Sequence, residues 1–575
     1  MKAAHETSPR RVGSLSMAIA AAIGLSLVYP VWLASTAAAK VMFGRDQGIY
    51  QFAAWALSRG ARDYVDIYDI NGPLTHGVHQ LFLALGGSDE HRFHVIDLVI
   101  TGASFAIAGA CLPGLTRDGD SAAPSWWERL AWAFAAWATL SVQYLSYDYW
   151  DIAQRESFCD WLLLPSVGLQ LLVQGNAALA RRPRLRAALL VIAGASSVLP
   201  WFIKPSYVIC SLLQCATLFW ISPRAERRPR LGTFLAGIGV GLALELAWLA
   251  KFASVSAMLR AYFWEAPRMY GPIWHVTPGE LLLRSGFPNW SWFALVVALL
   301  VGVLIRYRLL PMRALLLALL PVAGVLHVLA QGKGFPYHYH LMTSATVLAA
   351  LGAVCGLAER WQGSRSAVLL GPPALTLFGA AVLIALLGLQ LRGSPYVGGR
   401  SRVFEGNSFD RPRFELGRHF FYMRFNPWDL GEGARYIQTA TAAGSSIFLY
   451  GTSPYLLFLS QRDAATRFIY AHQLNVDAAI DGRSSSQIYK PGIRLSESRA
   501  AELTALRDRN AALLLADIKR TRPAAAVFTD NEAFLSLPDA WADFKLHNPE
   551  AADWIAAHYR EEIRFGTVRV WMRRP

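Results

Sequence analysis

Carboxylates and cations collect in a few short stretches of an otherwise apolar chain. Asp46 stands in Gly44-Arg45-Asp46-Gln47-Gly48-Ile49-Tyr50, directly after the first apolar run, and Asp63, Asp66, Asp69 and Asn71 follow before Gly72-Pro73. Carboxylates near membrane depth are costly when desolvated, so they are candidates for proton transfer or ligand binding. The same residues also serve structure. Asp46 suits the N-cap of a helix whose apolar residues recur at helical spacing from Ile49, an amphipathic helix lying in the interface, and Asp, Asn, Gly and Pro suit a hydrated turn. Arg155 and Glu156 open another apolar run, Lys204 and Lys333 stand at the mouths of two more, and Tyr337, His338 and His340 follow Lys333. A Lys at a helix end either snorkels to water or fixes an anion. Two His at i, i+2 are weak support for a metal, so no metal site is assigned.

These groups need a scaffold, and composition restricts what it is. Of 575 residues 54% are hydrophobic and only 17% charged, and mean hydropathy is +0.29. A water-soluble chain of this length would need far more charged surface. Runs such as Ser14–Ala38 and Ala367–Leu391 reach the roughly 20 residues that cross a hydrocarbon core. About eleven spans are expected: Ser14–Ala38, Phe93–Leu112, Trp127–Tyr144, Phe158–Gln174, Ala187–Leu199, Ser206–Ile221, Leu231–Phe252, Trp290–Ile305, Leu309–Ala330, Leu341–Leu357 and Ala367–Leu391. Pro200 makes the fifth and sixth tilted or broken. The first run exceeds the roughly 7–15 residues of a signal-peptide core, so it reads as a retained helix. From Arg392 onward the chain is rich in Arg, Asp and Glu. The expected fold is a polytopic α-helical membrane domain, 1–391, with a first outer loop at 39–92, and a C-terminal α/β extracytoplasmic domain, 392–575.

The formal charge of +15 does not indicate nucleic acid. Within the apolar part the basic residues crowd alternate short links: Lys2, Arg10 and Arg11; Arg181 to Arg186; Arg224 to Arg230; Arg306, Arg308 and Arg313; Arg360 and Arg365. That density bias places these links and the N-terminus in the cytoplasm, and an odd number of spans puts the tail outside. The five cysteines lie in or beside apolar runs and read as small buried hydrophobes. Gly237-Ile238-Gly239-Val240-Gly241 lies inside a span and reads as helix packing, not a dinucleotide turn.

A first span followed by Gly-Arg-Asp-Gln-Gly-Ile-Tyr, then an Asp-x-x-x-Pro turn opening a helix, resembles the GT-C class of membrane glycosyltransferases. Within it, the chain looks like bacterial members of the protein O-mannosyltransferase superfamily, which includes the aminoarabinose transferase acting on lipid A. Ala153-Gln154-Arg155-Glu156, Ile203-Lys204-Pro205-Ser206 and Gly332-Lys333-Gly334-Phe335-Pro336-Tyr337-His338-Tyr339-His340 agree in order and sidedness. The tail is similar too, with strands at Ile447–Gly451 and Ala525–Thr529, a helix at Asn510–Thr521, and closing segments His558-Tyr559-Arg560 and Val568–Trp571. There is one departure. Relatives carry a Lys just before the proline, implied to bind the donor phosphate, where this chain has Asn71-Gly72.

The resemblance implies transfer of a sugar from a polyprenyl-phosphate carrier to an extracytoplasmic glycan, lipid or protein acceptor, with inversion, in a bacterial inner membrane with a periplasmic tail. The matched general base is Asp46, and a base must take the acceptor's proton as it attacks. With the family Lys missing, Lys204, Arg155, Lys333, Arg45 and Arg268 are candidates to hold the phosphate, Lys204 and Lys333 first. Asp69, Asn71, Glu156, Tyr337, His338 and His340 are candidates for substrate binding. Trp264, Glu265, Tyr270 and Trp274 form an outer loop suited to stacking on a sugar, or to an aromatic belt. Membrane lipids and the lipid-linked sugar are the expected partners, and a divalent cation, which His338 and His340 could coordinate with Asp or Glu, is left open. A lipid or saccharide transporter, or a non-catalytic scaffold, is the competing reading. A transporter would carry inverted repeats, and none is evident.

Overall fold

A computed structural model describes residues 12–117, 123–176, 179, 181–273, 276–283, 285, 289–361, 371–397, 425–481, 495–531 and 538–575. Lys2, Arg10, Arg11, Trp274, Arg365 and the start of the last expected span lie outside them. The chain divides into two compact units. One comprises Met1–Val41, His94–Glu245 and Thr277–Phe404; the other Met42–Phe93, Leu246–Val276 and Glu405–Pro575. Two segments between spans, Met42–Phe93 and Leu246–Val276, thus share a unit with the tail.

In the first unit a helix lies at each expected span. Among the described residues eight helices are long and apolar enough to cross a membrane, and Pro205–Ile221 and Trp290–Arg306 are shorter apolar helices. At Pro200 the chain breaks into the 3-10 turns Leu199–Phe202 and Pro205–Tyr207. The span Pro336–Trp361 is enclosed by protein, 94% of its apolar window buried, against 28% for Pro372–Arg392. Leu25, Trp32, Leu244, Leu299 and Phe378 face outward, an apolar surface that calls for lipid rather than water. Helix contacts rely on small residues. A Cβ on Gly237 would meet the backbone of Val191 and one on Gly241 that of Ala195, whereas Gly239 faces open space. The glycine run is therefore packing against the helix Pro183–Val198.

The second unit is built on a five-stranded sheet of order β2-β1-β3-β5-β4. Its strands are β1 (Ser446–Tyr450), β2 (Asp463–Ala464), β3 (Ala525–Thr529), β4 (Tyr559–Phe565) and β5 (Val568–Arg573). β1 runs parallel to β2 and β3, and β5 runs antiparallel to β3 and β4. Every residue of β3 is buried, as its unbroken apolar run requires. β4 instead exposes Arg560, Glu561 and Glu562, charges that protect a sheet edge. The helix expected at Asn510–Thr521 begins earlier, at Glu497.

Loop and tail are joined by backbone. The Tyr68 amide donates to Arg467 O at 2.7 Å and the Asp63 amide to Phe252 O at 2.8 Å. The helix Arg45–Ser58 is buried on every side from Gln47 to Leu57, which corrects the expectation of an amphipathic helix in the interface. Its turns of Ala and Gly let the helices Pro73–Gly86 and Tyr455–Ser460 pack closely, and Gln51 accepts a 2.9 Å hydrogen bond from His79. A Cβ at Gly48 would lie 2.6 Å from Tyr455 Cβ. Gly48→Val is expected to lose about 1–3 kcal/mol through overpacking, seen as a lower melting temperature of the purified chain in detergent. An unchanged transition would disprove the close packing.

Candidate active site

The turn before Pro73 is organised by a histidine. His76, on the first turns of the helix Pro73–Gly86, donates from Nδ1 to Asp63 and from Nε2 to Asp69, both at 2.7 Å. All three side chains are shut off from solvent. Burial alone would favour a neutral ring, but the charges of Asp63 and Asp69 outweigh it and push His76 up to about 10. Burial likewise pushes Asp63 up. For Asp69 it is outweighed by hydrogen bonds from His76, Tyr470 and Asn71, which hold that carboxyl below its usual range. The result is a buried imidazole bridging two carboxyl groups, with burial raising Asp63 and hydrogen bonds lowering Asp69.

Asp69 is fully engaged. Its Oδ1 accepts from the Ile70 amide at 2.6 Å, from Asn71 Nδ2 at 2.7 Å and from the Tyr470 hydroxyl at 2.8 Å. Asn71 also donates to the Tyr470 oxygen at 3.2 Å. Asp69 and Asn71, expected to bind substrate, are thus tied to a tyrosine of the tail.

Asp46 is different. The helix N-cap is Gly44, whose amide donates to Gln47 Oε1 at 2.7 Å, so the structure corrects the expectation that Asp46 caps the helix. Asp46 sits in the first turn, half-buried, with no hydrogen bond or ion pair to any described residue. A carboxylate there gains roughly 0.3–1 kcal/mol from the helix dipole. After burial, the charges of Asp69, Tyr50 and Asp46 push the Tyr470 phenol up, so Asp46 lies within electrostatic reach of Tyr470.

Arg268 also belongs to this unit. Its guanidinium carbon stands 3.2 Å over the Trp264 ring, and it donates to Trp264 O at 2.8 Å and to Glu502 at 3.4 Å. Glu265 accepts from Tyr68 and Arg509. Of the expected stacking loop, Trp264 and Glu265 therefore serve local packing.

The first unit gathers a second constellation. Lys204, between the two 3-10 turns, donates to Glu156 Oε1 and Gln331 Oε1. His338 Nε2 lies 3.7 Å from the same Glu156 oxygen. Arg155 donates to the Tyr337 hydroxyl at 3.4 Å and stands over its ring, as Lys204 does at 5.8 Å. Phe335 stacks on Tyr337 at 5.5 Å. The turn that brings Lys333 here depends on Gly332 and Gly334, at φ of 64° and 69°, a left-handed backbone that side chains disfavour. Burial pulls Lys333 down to about 7. It also pulls Lys204 down to about 8, although the charge of Glu156 resists. Glu156 Oε2 and His338 Nδ1 have no hydrogen-bond partner among the described residues. Arg155, Glu156, Lys204, Tyr337 and His338 are thus brought together.

His340 stands apart, stacked on Tyr147 with centroids 4.0 Å apart and donating to Asp151 O at 2.9 Å. Among the described residues no group of three or more His, Cys, Asp or Glu is placed to hold a metal ion.

Sequence reasoning missed His76, Asp63 and Tyr470 as one network. An Asp-x5-Asp-x6-His pattern in a turn-rich loop carries no periodic signal, and Tyr470 is remote in the chain.

The architecture, apolar spans with a small α/β domain, is a GT-C-like membrane fold. No family model matches the chain, and no curated protein does. Among solved structures it is similar to ArnT from Cupriavidus metallidurans, crystallised bound to undecaprenyl phosphate, over 95% of this chain and 97% of that one, with 12% identity and a TM-score of 0.50. The archaeal oligosaccharyltransferase AglB from Archaeoglobus fulgidus, in complex with an inhibitory peptide and a dolichol-phosphate, is similar over 91% and 72% of the two chains, with 13% identity and a TM-score of 0.44. At 12% identity the likeness to ArnT is one of fold.

Removing the central ring tests the network. His76→Gln is expected to cost about 3–5 kcal/mol, because it leaves Asp69 buried without its countercharge. The raised His76 value also sets a pH dependence. Its stabilisation is complete below about 6.5, the ordinary imidazole value, and disappears as pH rises through about 10. Melting temperature should fall across that interval in the native chain and fall less in the variant. Parallel curves for the two would reject a charged His76.

Proposed function

We propose that this chain is an integral-membrane glycosyltransferase that moves a sugar from a polyprenyl-phosphate carrier to a hydroxyl acceptor on the outer face of a bacterial inner membrane, with inversion. The observation that carries the reading is Asp46. In a unit whose other acids beside it are saturated with hydrogen bonds, it keeps an unpartnered carboxylate.

As the base, Asp46 takes the proton of the acceptor hydroxyl. The acceptor oxygen bonds to the anomeric carbon while the bond from that carbon to the carrier phosphate breaks, and the polyprenyl phosphate leaves with the electron pair. The leaving phosphate concentrates negative charge, which fixed cations stabilise at low dielectric. Within the membrane unit, Lys204, Arg155 and Lys333 are the cations proposed to bind such a phosphate. Asn71-Gly72, where relatives have a Lys, then has no phosphate to hold, and Asp69 and Asn71 position the loop instead. Glu156 keeps Lys204 charged, and Tyr337 and His338 line the same cluster. Orientation with the N-terminus in the cytoplasm follows from the Arg-rich links.

Asp46→Asn in a deletion strain is expected to keep expression but reduce transfer about 10²–10⁴-fold, the range of a lost general base. Mass spectrometry of glycolipids and glycans reads the result, and a variant restoring the parental profile would reject the role of Asp46. Binding of undecaprenyl phosphate should weaken as pH rises through about 7 to 8, where Lys333 and Lys204 lose their protons. Lys204→Met should weaken it at every pH, and affinity indifferent to both would remove the cluster from the phosphate site.

A further inference from the structure

The tail holds a buried histidine that its own fold leaves unanswered. His472 lies in the short turn Ala471–Gln473. That turn is anchored by the Ala471 amide on Gly451 O at 2.6 Å and by Gln473, which donates to Tyr68 O. The ring is 3% exposed, and neither ring nitrogen has a hydrogen-bond partner among the described residues. Buried polar atoms are almost always satisfied, and here both nitrogens of one ring lack a partner among the described residues. The ring stacks on Tyr470 at 5.1 Å and 28°, and Tyr270, half-buried, stands 5.8 Å away at 44°.

We infer that His472, Tyr270 and Tyr470 form a saccharide-binding subsite. This rests on the glycosyltransferase reading. Burial pulls His472 down to about 4, and the charge of Asp69 only partly opposes it. At neutral pH the ring is uncharged and offers one N–H donor and one bare nitrogen acceptor. Neighbouring sugar hydroxyls match that pair, whereas a phosphate would demand a cation. The flanking aromatic faces suit the C–H face of a pyranose. The Tyr470 hydroxyl is already committed to Asp69, which leaves polar recognition to the imidazole.

The test uses the full chain purified in detergent, melted with and without methyl α-mannoside, methyl β-glucoside, methyl β-galactoside and methyl β-N-acetylglucosaminide. At least one glycoside should raise the melting temperature of the native chain, and His472→Leu and Tyr270→Leu should each abolish that shift. Without glycoside, His472→Leu should melt no lower than the native chain, because it removes two unpaired polar atoms. A core histidine would behave oppositely. The proposal is overturned if no glycoside shifts the native chain, if His472→Leu keeps the shift, or if His472→Leu alone melts lower or fails to fold. Asp46→Asn, run in parallel for transfer, separates the two ideas. Lost transfer without glycoside binding retains the enzyme and discards the subsite, whereas glycoside binding through His472 with undiminished transfer does the reverse.

Discussion

A charge removed from water must be answered by another charge or by several hydrogen bonds, and this requirement shapes both units of the protein. In the unit that contains the sheet, His76 answers Asp69 and Asp63. Through Asp69 it reaches Asn71 and Tyr470, so one imidazolium ties a membrane-proximal loop to a residue some four hundred positions later. The loop is thereby tied to the tail by hydrogen bonds from Tyr470.

Against that background the exceptions are informative. Asp46 and the ring of His472 are polar, withdrawn from water to different degrees, and without hydrogen-bond partners among the described residues. Unmet hydrogen-bonding capacity destabilises a fold unless a ligand uses it. The cationic cluster of the membrane unit follows the same logic with opposite sign. Burial presses Lys204 and Lys333 toward neutrality, and an arriving anion would favour their charged forms.

Much of this was legible in the residues. Hydropathy located the helices, because a backbone in hydrocarbon can be satisfied only within its own helix. Alternation of apolar strands with a helix marked the tail as α/β, and Ala525–Thr529 and Ile447–Tyr450 are strands as expected. The glycines at 237 and 241 were readable as helix contacts. The Arg45–Ser58 helix was readable as a helix, but not as a buried one. Its apparent polar side is filled by Gln47 and Gln51, which bond to Gly44 and His79 rather than to water.

Local sequence determined which segments are helix or strand, and which short stretches concentrate acids and bases, because both depend on neighbouring residues and on transfer from water. Only the tertiary structure decided which of those groups meet. Asp69 and Asn71 went to Tyr470, Arg268 to Trp264, and Lys204 to Glu156, while Asp46 was left unpaired. Pairing between distant residues depends on how helices and strands are brought together, and that is set by close packing rather than by any local pattern.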